Sequence, residues 1–120
     1  MNYHELKKDA KIVDEVLLYL LKNNDDDISI DISRNEDKII FTFKISKLSK
    51  EALSYMDKYI NKEREIEVEE YGWELMGESG SQSDLGMVGL LIDKMSILED
   101  ENHTILKLIR YYKKSRTYIP

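Results

Sequence analysis

The sequence predicts an α+β domain with a small antiparallel sheet, made of a hairpin and a third strand. About four helices pack with it, in the order α-β-β-α-β-α-α. Three observations predict this class: helical spacing of apolar residues near the start, two adjacent stretches of alternating apolar and polar residues, and renewed helical spacing after residue 49. The 120 residues fit one domain, residues 1–120, with a basic C-terminal helix or tail at about 103–120.

The first helix and the hairpin after it are predicted by two different periodicities. The helix has an apolar stripe at three- and four-residue spacing, and it should end near Asn23 and Asn24, because Asn tolerates the conformation of a helix C-cap. The hairpin alternates apolar and polar residues over 28–33 and 39–45, on either side of the polar turn 34–37. The apolar stripe of the helix consists of Leu6, Ala10, Val13, Leu17 and Leu20, and it is widened by Ile12, Val16, Tyr19 and Leu21.

The segment 63–76 fits two structures. It follows a second predicted helix, which Ser46 or Ser49 can cap and which should end near Asn61. Ile66 and Val68 alternate with glutamates, which predicts a third strand with an acidic outer face. The aromatic residues that come next continue the alternation out of phase, so a strand would need a bulge or a break near 69–70. A helix over 63–76 is the alternative.

The glycines are concentrated in one part of the chain. All five, together with the single tryptophan, lie in the segment 72–89. Residues 77–84 are predicted to form a polar loop that leads into a helix over about 85–95. Gly86 and Gly89 lie three residues apart in that helix, and the absence of a side chain there would permit close approach of another backbone.

The charges are separated along the chain, whose net charge is −6. Residues 61–84 are strongly acidic, whereas residues 107–116 hold five basic residues and no acid. The end of the chain also shows the apolar spacing of a last helix over 105–112. This separation suggests contact between tail and acidic face within one chain, between two copies or with a partner; two solvated faces are the plain alternative.

Composition excludes several classes of protein. The absence of cysteine excludes disulfides, thiolate metal sites and a cysteine nucleophile. No apolar run approaches the ~20 residues that span a bilayer, and we see no signal-peptide pattern, so we expect a cytoplasmic protein without membrane contact. The negative net charge disfavours binding to a phosphate backbone, so nucleic acid is not expected as a partner.

No motif with a defined chemistry occurs. The glycine loop lacks the Lys-Ser/Thr pair of a phosphate loop, and Gly77-Glu78-Ser79-Gly80 does not match a nucleophile elbow. The run Asp25-Asp26-Asp27 lacks the glycine of a calcium loop. We therefore predict no catalytic residues, no metal site and no cofactor.

The candidate residues for binding a partner or ligand lie on the acidic segment and the glycine loop. Glutamates along one strand face would suit a basic partner, and an aromatic pair at strand spacing would suit an interface, although a lone tryptophan also suits the core. The loop precedes a helix N-terminus, where backbone N–H groups are free. The candidates are Glu65, Glu67, Glu69, Tyr71, Trp73, Glu78, Ser79 and Asp84.

These observations favour a small acidic interaction or regulatory protein without catalytic activity. It would bind a protein partner or form a homodimer, and one specific version is an inhibitor of the immunity or antitoxin type. The first alternative is a small-ligand sensor that uses the loop 77–84 with Tyr71 and Trp73. The second alternative is an enzyme that uses carboxylates alone.

Overall fold

The fold consists of helices and antiparallel strands that follow one another in blocks along the chain. The computed structural model describes residues 3–24, 26–61, 64–74 and 85–112. Within these ranges the elements are α1 (Tyr3–Asn23), β1 (Ser29–Arg34), β2 (Lys38–Ser46), α2 (Lys50–Ile60), α3 (Ile66–Gly72), α4 (Leu85–Leu91), β3 (Lys94–Glu99) and β4 (His103–Tyr111). The predicted α+β class, the antiparallel sheet and the hairpin β1–β2 are confirmed, and the number of helices agrees with the predicted number of about four.

The strands form one sheet in the order β1-β2-β4-β3. β2 and β4 occupy its centre and pair along their full lengths, from Lys38 opposite Tyr111 to Ser46 opposite His103. Because strand side chains alternate, each strand contributes to both faces of the sheet. We call the face that packs on the helices the inner face. In β2 and β4 its residues are all buried: Ile39, Phe41, Phe43, Ile45, Thr104, Leu106, Leu108 and Arg110.

The core lies between this inner face and the helices. α1 buries Ile12, Val16 and Leu20, four residues apart on one side, whereas Leu6 and Ala10 of the predicted stripe are exposed. Of the two predicted caps of α2, Ser49 is the one used, because its hydroxyl accepts a hydrogen bond of 3.1 Å from the Ala52 N–H. The helical side chains in the core include Ile12, Val16, Leu20, Met56, Ile60, Val88 and Leu91.

Gly89 brings α4 and α2 into direct backbone contact. A Cβ atom at this position would collide with the backbone carbonyl oxygen of Tyr59. A side chain therefore cannot be accommodated without moving one of the two helices. The predicted close approach occurs within the chain, between α4 and α2.

The prediction of a third strand in 63–76 is wrong, and the helical alternative is correct for 66–72. Among the described residues from 66 to 74, the buried ones are Glu69, Gly72 and Trp73, at the spacing i, i+3, i+4 of one helix side. The alternation of isoleucine and valine with glutamate imitated a strand. The phase change near 69–70 is explained by a helix rather than by a bulge.

The prediction of a last helix over 105–112 is also wrong, since 103–111 form β4. This segment has apolar residues on both sides, so its pattern fits a helix and a strand equally well. The helix predicted over 85–95 ends at Leu91, and β3 starts at Lys94. Residues 113–120 of the predicted basic tail lie outside the described residues.

Candidate functional site

The three candidate glutamates do not share one surface. Glu65 and Glu67 are exposed, whereas Glu69 is buried. Residues two positions apart on a helix lie on roughly opposite sides, so the helix that replaces the predicted strand separates Glu67 from Glu69. An acidic strand face of all three residues is therefore absent.

The aromatic pair is separated for the same reason. Tyr71 is 67% exposed and Trp73 is 3% exposed. The Trp73 ring packs edge-on against His4 with 5.9 Å between ring centroids, and the Lys8 ammonium lies 6.0 Å from its centroid. Trp73 thus belongs to the core. The remaining candidates, Glu78, Ser79 and Asp84, and the loop 77–84 lie outside the described residues.

Glu69 lies at the centre of a group of charges that are largely buried, except for Glu70, whose side chain is 40% exposed. One carboxylate oxygen, Oε1, accepts from Arg64 Nε at 2.6 Å. The other, Oε2, accepts from Lys8 Nζ at 2.7 Å and from Arg110 Nη2 at 3.1 Å. We call this group the buried charge cluster; its members are Glu5, Lys8, Asp9, Arg64, Glu69, Glu70, Asp93 and Arg110.

The cluster joins distant parts of the fold through its two arginines. Arg110 donates from Nη2 to Glu5 in α1 and from Nη1 to the carbonyl of Leu91 at the end of α4, and both hydrogen bonds are 2.7 Å long. Arg64 donates from Nη1 to Asp93 and to the carbonyl of Tyr111, and these two hydrogen bonds are also 2.7 Å long. The cluster therefore fixes α1, α3, the α4–β3 turn and the end of β4 to one another.

The carboxylate at the centre stays ionised. Burial alone would raise the pKa of Glu69, but the positive charges of Arg110, Arg64 and Lys8 outweigh burial and lower this pKa to about 2. Such a carboxylate is a poor proton donor or acceptor near neutral pH. Glu69 is suited to holding the fold together.

Asp9 is the member of the cluster with the opposite behaviour. Burial is the dominant effect and raises the pKa of Asp9 to about 6, although Arg110 lowers it in part. Its Oδ2 accepts from the Tyr112 hydroxyl at 3.1 Å, whereas its Oδ1 has no hydrogen bond. The nearest cationic atom to Oδ1 is Arg110 Nε at 3.6 Å, which is too long for a hydrogen bond.

A cavity of about 270 Å³ opens beside Asp9, between α1 and the β1–β2 hairpin. Asp9 and Arg34 are its two charged lining residues. A second, shallower cavity on α2 is lined by Tyr55, Lys58 and a single acid, Glu51. The first cavity has apolar walls formed by Leu6, Ala10, Val13, Ile32, Ile39 and Phe41.

The face of the sheet opposite the helices is a surface of a different kind. Ile40 lies directly opposite Ile109 on the two central strands, and Ile105 lies opposite Leu98. These apolar side chains are half-buried or, for Leu98, 63% exposed, and none belongs to the core cluster or to the side chains packed against it. No described helix therefore covers them.

The same face is basic although the chain is acidic. We call it the open sheet face and define it by the outward side chains of Asp31, Lys38, Ile40, Thr42, Lys44, Lys94, Leu98, Ile105, Lys107, Ile109 and Tyr111. It holds four lysines, and the only acid among the outward residues of the four strands is Asp31 on β1. Lys38 lies over the Tyr111 ring, 6.0 Å from its centroid.

Sequence reasoning missed both features. The separation of acidic and basic segments was a partial signal, because Glu69 pairs with Arg110 within the chain, as one of the predicted arrangements requires. No pattern identified Lys8 or Asp9, whose partners lie 61 and 103 residues away. The open sheet face cannot be predicted from the sequence, because the spacing over 105–112 indicates a helix and this segment supplies one of the two central strands of the face.

No match was found for this chain among models of protein families, curated proteins or solved structures. Within the described ranges, no three acidic or histidine side chains are grouped to hold a metal ion. The described helices include none that is long and apolar enough to cross a bilayer.

Proposed function

We propose that this protein acts without catalysis, by binding a protein partner through its open sheet face. The observation that carries the proposal is the arrangement of Ile40, Ile105 and Ile109 on the two central strands with lysines around them. An apolar centre with a polar rim is the usual anatomy of a protein interface. The described helices leave this surface uncovered, which supports its use for binding.

The charge of the face favours an acidic partner. Four lysines and one aspartate give the open sheet face a positive charge in a chain whose net charge is −6. An acidic surface with an apolar centre would complement it and would be attracted to it over a distance. The face carries the single aromatic ring of Tyr111, whereas platforms for single-stranded nucleic acid stack several bases on aromatic side chains. The arrangement therefore supports a protein partner better than a nucleic acid.

The expected homodimer is a second possible use of the face. In a two-fold dimer the same patch meets itself. A face-to-face dimer would bring together two surfaces that each hold four lysines and one aspartate. Because like charges disfavour such a contact, we place the acidic partner first and make self-association an outcome of the test.

An inhibitor that uses its acidic side is the second candidate function. Glu65 and Glu67 are exposed next to two exposed apolar side chains of α3, Val68 and Tyr71. This surface suits a basic partner, but Glu69 cannot contribute because it is buried.

The small-ligand alternative with Tyr71 and Trp73 is not supported by the positions of these two residues. The cavities beside Asp9 and Glu51 each hold one carboxyl group, which gives no support to a two-carboxylate enzyme.

A charge-reversal experiment tests the proposal. The wild type, Lys44→Glu/Lys107→Glu and the matched control Lys50→Glu/Lys58→Glu on α2 are used to capture proteins from the native cell. Any protein recovered is then purified and its Kd for each form is measured at two salt concentrations. We expect the face variant to weaken binding at least ~10-fold and the control to change it less than ~2-fold.

Four results would overturn or redirect the proposal. The proposal is contradicted if every recovered protein binds the face variant as tightly as it binds the wild type. It is also contradicted if the control variant Lys50→Glu/Lys58→Glu abolishes binding. Binding lost in Glu65→Lys/Glu67→Lys and kept in the face variant supports the inhibitor. Light scattering of the purified wild type distinguishes self-association, because a dimer abolished by Lys44→Glu/Lys107→Glu or by Leu98→Glu would make the second copy the occupant.

A further inference from the structure

The two edge strands of the sheet differ in how well the helices cover them. β3 turns Met95 and Ile97 towards the helices, and both side chains pack against the core. β1 turns Ile30 and Ile32 to the same side, yet these side chains are 38% and 52% exposed. Natural sheets protect such edges with lysine, proline or a bulge, whereas β1 contains none of these and pairs with β2 residue for residue. β1 is therefore an unprotected edge with an uncovered apolar side.

The backbone of β1 also offers hydrogen-bonding groups at this edge. In an antiparallel hairpin, hydrogen-bonded and non-hydrogen-bonded pairs of residues alternate. The Asn35 N–H donates to the Lys38 carbonyl at 3.0 Å, so the preceding residue, Arg34, belongs to a non-hydrogen-bonded pair. The N–H and C=O groups of Ile30, Ile32 and Arg34 therefore point away from β2. In the part of the chain that the structure describes, β1 is the last strand on this side of the sheet, so these groups face a position that another strand can take.

α1 presents a second apolar stripe next to this edge, beside the stripe that faces the core. We call it the side stripe; its members are Leu6, Ala10, Val13 and Leu17. Their spacing of three and four residues puts them on one side of the helix. Leu6, Ala10 and Val13 line the apolar cavity of about 270 Å³ between α1 and β1, so the side stripe faces the edge strand. Leu6 and Ala10 are exposed, and Val13 and Leu17 are half-buried.

A second copy of β1 meets the requirements of this edge. The occupant must be an extended strand with apolar residues at alternate positions, because every second side chain would enter the space over the inner face. Ile30 and Ile32 have this spacing, and their outward backbone groups complement those of the first copy. The charges of Asp31 and Arg34 cancel within β1, in contrast to the four lysines of the open sheet face. Self-association is therefore opposed much less at this edge than on that face.

Symmetry and charge select the register of the two strands. In a two-fold antiparallel pair, the residue at the axis lies opposite itself. The two registers centred on β1 place either Asp31 or Ile32 there. Asp31 opposite Asp31 would bring like charges together, which is destabilising. Ile32 opposite Ile32 avoids this and sets Ile30 opposite Arg34, so that all three residues with outward backbone groups form hydrogen-bonded pairs.

We propose that two copies of this protein associate through their β1 strands, with Ile32 opposite Ile32, so that the two four-stranded sheets form one continuous antiparallel sheet. The two-fold axis keeps both inner faces on one side of this sheet. The two α1 helices then lie on either side of the junction with their side stripes facing each other, and the contact fills the apolar space beside α1. The open sheet face stays free, so this contact is independent of the partner proposed for that face.

Two matched pairs of variants test the place of the contact, with the dimer measured by analytical ultracentrifugation of the full chain over a concentration series. Ile32→Lys puts a charge at the junction, and Leu98→Lys puts the same charge on a 63% exposed strand residue of the open sheet face. Leu6→Lys changes the side stripe, and Leu18→Lys changes another side of α1 at a leucine that is also 37% exposed. We expect Ile32→Lys and Leu6→Lys to raise the Kd of the dimer at least ~10-fold, and the two controls to change it less than ~2-fold.

Amide hydrogen exchange of the wild type tests the strand pairing itself. The N–H groups of Ile30, Ile32 and Arg34 point outward from the single chain and become hydrogen-bonded in the dimer. We expect their exchange rates to fall at least ~10-fold between protein concentrations below and above the measured Kd. The N–H groups of Asp31 and Ser33, which pair with β2 in both states, should change less.

The results separate the edge contact from other arrangements. A protein that remains a monomer at millimolar concentration overturns the proposal. A dimer that Ile32→Lys leaves intact overturns it, as does a dimer in which the three outward amides exchange as fast as in the monomer. A dimer lost in Leu98→Lys and kept in Ile32→Lys overturns it in favour of the open sheet face. Each variant is first shown to be folded by circular dichroism, and the exchange measurement needs no variant. A dimer weakened by Ile32→Lys and Leu6→Lys, kept in both controls and protected at the three amides establishes the contact.

Discussion

The two faces of the sheet use similar residues for different purposes. The inner face combines large apolar side chains with Arg110, which has no exposed surface and is held by carboxylates from α1 and α3. The open sheet face combines isoleucines with exposed lysines, and the described elements leave it uncovered. Arg110 and Lys107 lie three positions apart on β4 and so on opposite faces. The position of a basic residue in the alternation of a strand therefore decides whether it stabilises the fold or is available to a partner.

The largest expected effect comes from the inner member of that pair. Arg110→Gln would leave Glu69, Glu5 and Asp9 without their shared cation, and breaking a buried ion pair in this way costs roughly 3–5 kcal/mol. Lys107→Gln, on the open sheet face, should change the free energy of unfolding by less than about 0.5 kcal/mol. Urea unfolding of both variants measures the difference. Equal effects would contradict the distinction between the two faces.

The acid limb of the stability profile should depend on Glu69. Its pKa is lowered from 4.5 to about 2 on folding, so it stabilises the fold above pH 4.5 and this contribution is lost as the pH falls towards 2. Such a shift corresponds to roughly 3 kcal/mol. We expect Glu69→Gln to be less stable than the wild type at neutral pH and to show a flatter profile between pH 4.5 and 2. The matched variant Glu67→Gln should follow the wild type, because Glu67 is exposed.

Asp9 should affect stability in the opposite direction. Its pKa is raised from 3.8 to about 6 on folding, so the folded protein binds more protons than the unfolded chain between these values. The free energy of unfolding attributable to Asp9 therefore decreases as the pH rises from about 4 to 6 and remains low above it. Asp9→Asn should be more stable than the wild type at pH 7, by up to about 2 kcal/mol. Thermal unfolding at pH 4, 5, 6 and 7 checks this; a variant that is less stable at every pH would contradict it.

The smallest effect is expected on the open sheet face itself. Ile105→Ala removes a half-buried side chain that does not pack on the core, so it should cost about 1 kcal/mol or less. The neighbouring Leu106→Ala removes a fully buried side chain and should cost about 2–5 kcal/mol. Denaturant unfolding compares these adjacent residues. A similar cost for both would mean that the outer face is also part of a packed core.

The sequence predicts elements well where a single periodicity fits. α1 and the β1–β2 hairpin have unambiguous spacing, and the structure confirms them. The spacing over 105–112 predicts a helix because the segment is apolar on both sides, and only pairing with β2, from the other half of the chain, determines that it forms a strand. The alternation of glutamates with apolar residues in 63–76 predicts a strand, because it has the period of a strand. The helical spacing of Glu69 and Trp73 is not recognisable as a buried side in the sequence, since one of the two residues is charged.

The candidate site was less predictable than the fold for a physical reason. The environment of Glu69 depends on Lys8 and Arg110, which are 61 and 41 residues away in the chain. Local spacing contains no information about such contacts. Glu65, Glu67 and Tyr71 are exposed, as residues predicted to bind a partner should be. Glu69 and Trp73 were predicted to bind as well, but both are buried by contacts that form only when the chain folds.

The most direct test of the binding face is an NMR experiment on isoleucine methyl groups, with the partner added to the labelled protein. Ile40, Ile105 and Ile109 report on the open sheet face, and Ile12, Ile39 and Ile45 report on the core behind it. We expect the first three signals to shift or broaden on binding, with little change in the other three. Changes confined to Ile66 in α3, or to none of these isoleucines, would contradict the account.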